Sequence, residues 1–138
     1  MERTLVILKP NALLRGLAGE IISRFERRGF AISSMRTAVV SGPDARALYA
    51  EHEGKPFFEN LVSFITSGPS VLMVLAADDA VALARMMVGD KDPSCALPGT
   101  IRGDYSTTTR RNIIHASDSA ASAAREIALF FDGEALDG

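Results

Sequence analysis

One histidine is set in a context suited to chemistry. His115 follows two branched apolar residues, Ile113 and Ile114, and precedes a Ser-Asp-Ser segment at 117–119. The apolar pair predicts a short buried strand, and Ser-Asp-Ser ahead of an alanine-rich stretch predicts the start of a helix. We therefore expect His115 at the end of a strand, just before a helix, where rigid backbone holds a side chain towards open space.

Phosphoryl transfer is the chemistry that this histidine and the cations of the chain would support together. It needs little beyond positioning and the neutralisation of negative charge. A neutral imidazole is a nucleophile that needs no activating base. Its second ring nitrogen needs an orienting acceptor, for which Glu126 is a candidate. The cations that would hold phosphate oxygens lie at or near the ends of predicted elements: Lys9, Arg85, Lys91 and Arg102.

Several other kinds of site are excluded by motifs that the sequence lacks. It contains no Gly-x-x-x-x-Gly-Lys-Ser/Thr segment, and hence no P-loop. It has no Gly-x-Gly-x-x-Gly after a strand, and no pair of cysteines or histidines with zinc-ligand spacing. The single cysteine, Cys95, lies in an irregular loop with no obvious base beside it, so we interpret it as an inert thiol.

The composition is that of an ordinary globular protein of 138 residues, 47% hydrophobic and 23% charged. A net charge of -2 gives no electrostatic footprint for general nucleic-acid binding. With one cysteine the chain has no disulfide framework, which favours a reducing compartment. The start of the chain does not resemble a signal peptide, and no apolar stretch approaches membrane-spanning length. We expect a cytoplasmic location and no membrane partner.

The pattern of apolar and turn residues predicts one domain, residues 1–138, of alternating strands and helices. Asp78 is the predicted cap of the helix that follows it, residues 90–111 are predicted to be irregular, and residues 132–138 a short frayed tail. The order predicts an α+β sandwich of βαββαβ type, with helices on one face of a four-stranded antiparallel sheet. Strands are predicted at 4–8, 30–40, 71–77 and 113–114, and helices at 17–28, 41–52, 57–65, 80–88 and 119–131.

Residues 112–119, Asn-Ile-Ile-His-Ala-Ser-Asp-Ser, resemble the active-site signature of the nucleoside diphosphate kinase family, which usually reads Asn-x-x-His-Gly-Ser-Asp-Ser. The resemblance covers nearly the whole chain, from about residue 2 to residue 131. Because several separate motifs occur in the right order, a chance match is excluded in practice. The further matching segments are residues 2–10, 15–17, 19–22, 49–52, 55–58, 66–69 and 98–104.

The resemblance implies a kinase that transfers the terminal phosphate of a nucleoside triphosphate, such as ATP, to a nucleoside diphosphate and so maintains nucleotide pools. The transfer would be a ping-pong reaction through a phosphohistidine at His115. Phe57 matches the residue on which the base stacks, and Glu126 and Ser117 match the residues that orient the histidine. The residues that match positions binding phosphate or sugar are Lys9, Tyr49, Arg85, Arg102 and Asn112, and Lys91 stands at a further phosphate-binding position. Lys9 and Tyr49 are also expected among the catalytic residues, and Lys9 and Asn112 would reach the ribose hydroxyl.

The same resemblance implies a ferredoxin-like fold with an extra C-terminal helix. Mg²⁺ would bridge phosphate oxygens and need no dedicated protein ligands. Members of the family assemble as hexamers or tetramers, so we expect a homo-oligomer and leave the choice between these two assemblies open.

Three departures from the family pattern bear on activity. Residues 105–111, Tyr-Ser-Thr-Thr-Thr-Arg-Arg, are less typical of the stretch just before Asn112. Ala116 stands where the family has glycine, and a positive φ there would strain an alanine. Lys91 stands where a threonine usually contacts phosphates, and it would either supply a point charge or turn towards solvent. We expect an active kinase.

Two other functions are weighed against this one. The departures at 91 and 116 would suit a catalytically weakened protein that keeps the nucleotide pocket for regulation. A ferredoxin-like RNA- or DNA-binding module would need exposed aromatics among basic residues on its sheet. The sequence shows no such motif, so we expect no specific nucleic-acid partner.

Overall fold

A computed structural model describes residues 1–131 of the chain. Within them the strands are β1 (Glu2–Leu8), β2 (Ala31–Ala38), β3 (Ser70–Ala77) and β4 (Ile114–Ala116). The helices are α1 (Pro10–Leu14), α2 (Ala18–Arg28), α3 (Gly42–Leu48), α4 (Phe58–Ile65), α5 (Ala80–Val88), α6 (Ile101–Tyr105) and α7 (Ala120–Phe131), and a short 3-10 helix covers Ala50–His52. The tail predicted at residues 132–138 lies outside the described residues.

The four strands form one sheet in the order β2-β3-β1-β4, with every neighbouring pair antiparallel. The central strands are β1 and β3, and all 8 residues of β3 are buried. Their near-continuous apolar sequences suit strands that are covered on both faces. The predicted antiparallel sheet is therefore confirmed.

Helices cover both faces of the sheet. Val6 and Leu8 of β1 contribute to a core formed with α2 and α5, whereas Leu5 and Ile7 contribute to a second core formed with α3, α4 and α7. The alternation follows from the two-residue period of a strand. The prediction that helices pack on one face is thus wrong, because the apolar runs of β1 and β3 need cover on both sides. The ferredoxin-like βαββαβ order and the extra C-terminal helix α7 are confirmed.

Two helices begin or end where the sequence predicts. Ile21 and Phe25 form the buried stripe of α2, and Gly29 ends this helix with a left-handed φ of 111°, a conformation that glycine adopts without strain. Before α7, the Ser119 hydroxyl accepts a hydrogen bond of 3.0 Å from the Ser122 amide. The Ser-Asp-Ser segment therefore caps a helix, as predicted.

The start of α5 differs from the prediction. The residue that precedes the helix is Asp79, in a left-handed conformation, and no side-chain hydrogen bond of its own caps the helix. Instead the Glu2 carboxylate accepts a hydrogen bond of 2.8 Å from the Val81 amide. The predicted cap Asp78 is wrong, because a distant carboxylate on β1 takes the position that a local residue would have filled.

Two short helices lie where no helix was predicted. α1 follows β1 directly, with Pro10 in its first turn, where the missing amide is no loss. α6 interrupts the segment predicted to be irregular, and the Thr100 hydroxyl caps it by accepting from the Gly103 amide at 3.0 Å. Each helix has 5 residues, too few for apolar periodicity to reveal it. None of the helices described is both long and apolar enough to span a bilayer.

Candidate active site

The fold brings the predicted site residues to one cleft of about 650 Å³, a size suited to a small-molecule ligand. Its walls come from the 3-10 helix, from α4, α5 and α7, and from the segment that precedes β4. Ser117 is buried behind the wall. The other predicted residues line the cleft itself: Lys9, Tyr49, Phe57, Arg85, Lys91, Arg102, Asn112, His115 and Glu126.

His115 is the middle residue of β4, opposite Ile7 of β1. It does not end the strand as predicted, because the ladder with β1 continues through Ala116. Its Nε2 atom lies 2.7 Å from Glu126 Oε1. Since a carboxylate only accepts, this geometry assigns the ring proton to Nε2 and leaves the lone pair on Nδ1. Among residues 1–131, Nδ1 has no hydrogen-bond partner.

Glu126 is held in place by a second hydrogen bond. The Ser117 hydroxyl donates to Glu126 Oε1 at 2.8 Å and accepts from the Leu5 amide at 3.3 Å. The glutamate side chain is only 4% exposed, and the imidazole is 17% exposed. Serine, glutamate and histidine thus form a chain that fixes the ring orientation and sets a carboxylate on the side of the ring away from Nδ1.

A strained turn leads into β4. Ile113 has a φ of 78°, which is unusual for a branched residue, and the Ile114 amide donates to the Asn112 carbonyl at 2.8 Å. Together these features define a γ-turn of the rare, strained kind. The Ile113 carbonyl in turn accepts from the Lys9 amide at 2.7 Å. Strain of about 1–3 kcal/mol persists only where the surrounding structure imposes it, and here it sets the direction of the strand that carries the histidine.

Ala116 does not carry the strain that a departure from glycine would suggest. Within the described part of the chain, the positive φ values of non-glycine residues are those of Asp79 and Ile113. Ala116 is buried in the ladder opposite Val6. Its carbonyl accepts a hydrogen bond of 3.2 Å from Arg85. An alanine therefore fits this position with ordinary strand geometry.

Two buried cations, Lys9 and Arg102, form the floor of the cleft. Lys9 donates to the Asn112 side chain at 2.9 Å, and burial together with Arg102 lowers the pKa of Lys9 to about 7. Arg102 donates to the carbonyls of Gly89 at 3.1 Å and of Ile114 at 2.6 Å. Burial and the neighbouring Arg85 lower the pKa of Arg102 to about 10. Like charges that destabilise one another in a buried cleft are suited to binding an anion.

Tyr49 presents a buried hydroxyl to the same floor. Its ring is edge-on to His115, with 6.3 Å between centroids, and Lys9 Nζ lies 5.9 Å from its ring centre. The hydroxyl has no hydrogen-bond partner, and burial raises the pKa of the phenol. Because buried polar groups are normally satisfied, this hydroxyl is suited to bind a ligand.

The mouth of the cleft is aromatic. Phe57 is 37% exposed, whereas its neighbour Phe58 is buried in the core. The imidazole of His52 lies 5.3 Å from the Phe57 ring, and Lys55 Nζ lies 5.8 Å from it. Burial, followed by the charge of Lys55, lowers the pKa of His52. Phe57 is therefore available as a stacking surface beside the imidazole of His52.

Lys91 lines the outer wall and is exposed. Several further residues line the cleft although no local pattern marks them as site residues. Their proximity to the matched motifs, or in the case of Asp118 membership of one, was the available signal. The charged and polar ones include His52, Thr109, Arg110 and Asp118.

A comparison with sequence models of protein families matches residues 2–136 to the family described as Nucleoside diphosphate kinase. The chain belongs to the nucleoside diphosphate kinase family. The matched range begins in β1 and extends beyond α7, so it includes every residue of the cleft.

Individual kinases of the family are similar over nearly their whole length. A nucleoside diphosphate kinase of Saccharolobus islandicus is 54% identical over 132 residues, which are 96% of each chain. The apo crystal structure of the kinase from Encephalitozoon cuniculi has a TM-score of 0.94 at 37% identity, covering 96% of this chain and 90% of that one. The kinase of Halobacterium salinarum, solved in complex with CDP, has a TM-score of 0.93 at 47% identity, with coverage of 95% and 88%.

These similarities make the chain an enzyme of nucleotide metabolism, a kinase that transfers a phosphate from a nucleoside triphosphate to a nucleoside diphosphate. They do not favour a purely regulatory nucleotide-binding protein. Phosphoryl transfer from nucleotides uses a divalent metal. In the part of the chain that the structure describes, no group of three or more His, Cys, Asp or Glu side chains is arranged to hold one.

Proposed function

We propose that His115 is the phosphate carrier of this nucleoside diphosphate kinase and that the reaction follows a ping-pong route. The observation that supports this most directly is the fixed tautomer of the imidazole. Nε2 is occupied by Glu126 at 2.7 Å, so the lone pair of Nδ1 is the one available to a substrate. The ring needs no base to activate it, because neutral imidazole is already a nucleophile.

In the first half-reaction, Nδ1 attacks the terminal phosphorus of a nucleoside triphosphate. An N–P bond forms, the bond from that phosphorus to the bridging oxygen breaks, and the nucleoside diphosphate leaves with that oxygen. The ring becomes formally positive while Nε2 keeps its proton, and the Glu126 carboxylate stabilises that charge. A terminal phosphate oxygen of a second nucleoside diphosphate then attacks the phosphorus. The N–P bond breaks, its electron pair returns to Nδ1, and a nucleoside triphosphate leaves neutral His115 behind.

The proposed substrate contacts run from the buried, positively charged floor of the cleft to its exposed aromatic mouth. Phosphates would lie over the buried floor, where Tyr49 offers an unpaired hydroxyl. The sugar would lie against Asn112, whose side chain already bonds Lys9, and the base would stack on Phe57. Stacking accepts every base because every base has a π-face. The proposed phosphate-binding cations are Lys9, Arg85, Lys91 and Arg102.

Arg85 and Arg102 have a second task in this arrangement. Each donates to backbone carbonyls of β4, namely those of Ala116 and Ile114. An arginine has five N–H donors, so each guanidinium retains donors for phosphate oxygens. The same side chains thus hold the strand of His115 and would neutralise the substrate.

We propose Mg²⁺ as the divalent metal, bound by the phosphate oxygens of the nucleotide rather than by a protein cage. Mg²⁺ commonly keeps several waters and takes its remaining ligands from substrate phosphates. The cations that line the cleft would share the neutralisation of the phosphates with it. When bound, the metal would supply charge neutralisation on the transferred group.

We further propose that residues 1–138 form one kinase domain that acts in the cytoplasm as a homo-oligomer, either a hexamer or a tetramer. The location rests on the single cysteine. Exposed apolar side chains on and beside the edge strand β2 support self-association, with Met35 at 50% and Val39 at 61% exposure. Light scattering of the purified protein would give the assembly.

The carrier role is tested by labelling. Wild-type protein incubated with Mg²⁺ and ATP labelled in the terminal phosphate should acquire an acid-labile label, and added GDP should remove that label as GTP. His115→Ala should remain unlabelled while folding normally by circular dichroism. Label retained in the His115→Ala variant would show that another residue carries the phosphate.

A further inference from the structure

The segment that precedes β4 presents one arginine to the cleft that the proposed mechanism does not use. Arg110 lines the cleft and is exposed. Among residues 1–131 its guanidinium has no hydrogen bond, ion pair or ring contact. Arg85 and Arg102, by contrast, are both bonded to backbone carbonyls. Arg110 is thus a cation in the cleft wall with all of its donors available.

The backbone on either side of Arg110 is held in place. The Arg111 amide donates to the Thr108 hydroxyl at 3.1 Å, and the Arg111 carbonyl accepts from the Asn11 side chain at 3.0 Å. The Thr108 carbonyl accepts from the Ser106 hydroxyl at 3.1 Å. The guanidinium is therefore presented from an anchored turn rather than from a loose loop.

Position along the segment places Arg110 at the outer end of the cleft. Asn112 is buried and His115 is partly buried, whereas Thr109 and Arg110 are exposed. The chain therefore descends from the mouth towards the reactive nitrogen as it runs from 109 to 115. In the proposed orientation, a nucleotide whose terminal phosphate reaches His115 would have its base towards the exposed side of the cleft, to which Phe57 and Arg110 both contribute.

We propose that Arg110 donates hydrogen bonds to the edge of the nucleobase and gives this kinase a preference for guanine nucleotides. The inference rests on the proposed substrate orientation. A guanidinium is a donor only and presents two parallel N–H groups. Guanine offers two adjacent acceptors, O6 and N7, whereas adenine pairs N7 with a donor amino group and cytosine presents an amino group. Stacking on Phe57 supplies affinity for every base, and Arg110 adds selectivity to it.

The test measures each diphosphate against preformed, labelled phosphoenzyme, which separates base recognition from the first half-reaction. Wild-type enzyme should lose its label to GDP with a second-order rate constant about fivefold above those for ADP and CDP, the low end for a bidentate arginine–guanine pair. IDP keeps O6 and N7 and should behave like GDP. 7-deaza-GDP lacks N7 and should lose most of the advantage.

Arg110→Ala should bring the GDP, ADP and CDP rate constants to one value by lowering the GDP constant. Arg110→Lys keeps the positive charge but lacks the two parallel N–H groups, and it should also lose the preference for GDP over ADP and CDP. Arg111→Ala is the matched control, because it removes an equal charge from a neighbouring side chain that does not line the cleft, and it should keep the preference.

Three results would overturn the inference. In the first, wild-type enzyme treats GDP, ADP and 7-deaza-GDP alike. In the second, Arg110→Ala lowers all rate constants by one factor, which would make Arg110 a general phosphate contact. In the third, Arg111→Ala abolishes the preference equally. Failure to form any phosphoenzyme on His115 would instead overturn the proposed carrier role and this inference with it, so the two failures are distinguishable.

Discussion

Replacing Glu126 by glutamine tests how much the negative charge beside the His115 ring contributes to phosphoryl transfer. The carboxylate accepts from His115 at 2.7 Å and from Ser117 at 2.8 Å. Glutamine has the same shape and retains one oxygen acceptor, so both hydrogen bonds remain possible while the negative charge is lost. A hydrogen bond to a charged group contributes about 1.5–3 kcal/mol, against about 0.5–1.5 kcal/mol between neutral groups. The two ranges differ by about 1–1.5 kcal/mol, which corresponds to roughly tenfold in rate.

This loss should fall on phosphoryl transfer rather than on binding, because the ring is neutral before transfer and positive after it. We expect Glu126→Gln to lower the rate of phosphoenzyme formation roughly tenfold, with little change in the ATP concentration that gives half the maximal rate. Rapid-quench measurement of labelled enzyme over a range of ATP concentrations gives both quantities.

Glu59→Gln is the matched control, since Glu59 pairs with Arg46 on the surface, its side chain is 69% exposed, and it does not line the cleft. This variant should transfer phosphate at the wild-type rate. An unchanged rate in Glu126→Gln would refute the role assigned to the carboxylate. A change in half-saturating ATP alone would mean that Glu126 acts through binding.

Three further substitutions test the floor of the cleft and β4. The pKa of the Lys9 side chain is about 7 in the folded protein, below its ordinary value of 10.5. Between these two pH values the unfolded chain binds more protons than the folded one, so the free energy of unfolding should rise with pH across that window. Lys9→Met should remove this rise in urea titrations of the apo protein. Tyr49→Phe removes a hydroxyl that has no partner, so apo stability should not fall, whereas half-saturating nucleotide should rise about fivefold in initial-rate assays. Ala116→Gly relieves no strain, so activity should stay unchanged and stability should fall by about 0.5–1 kcal/mol in thermal unfolding.

The fold was predictable where local sequence determines it. The apolar run at residues 71–77 and the amphipathic stripe of α2 both yield the observed elements. The errors in predicting the fold occur where a residue distant in sequence determines the local structure. Glu2 caps α5 across 79 positions of sequence, so a search for a neighbouring cap selects the wrong aspartate. The second helical layer was missed for a related reason. The apolar sequence of β1 indicates that the strand is covered on both faces, but it does not show which distant helices supply that cover.

The convergence of the candidate residues on one cleft was predictable, and the geometry of that cleft less so. The motif at residues 112–119 singles out His115 as the candidate, but no pattern reveals that the residue two positions earlier is forced into a left-handed conformation. Ile113 accepts that strain because four hydrogen bonds act on its turn at once: Ile114 to Asn112, Lys9 to Ile113, and Arg102 to both Ile114 and Asn112. Three of the four come from residues outside the turn.

This turn also connects the cations of the cleft with the position of the histidine. Lys9 bonds to Ile113 through its amide and to Asn112 through its side chain, and Arg102 bonds to Ile114 through its guanidinium. A phosphate bound by these two cations would therefore contact the same side chains that hold the strained turn. Because the strand beyond the turn directs the imidazole, the residues proposed to neutralise the substrate also place the nucleophile relative to it. Lys9 and Arg102 therefore act together with the turn that they hold, and a change in either cation should affect both phosphate binding and the position of His115.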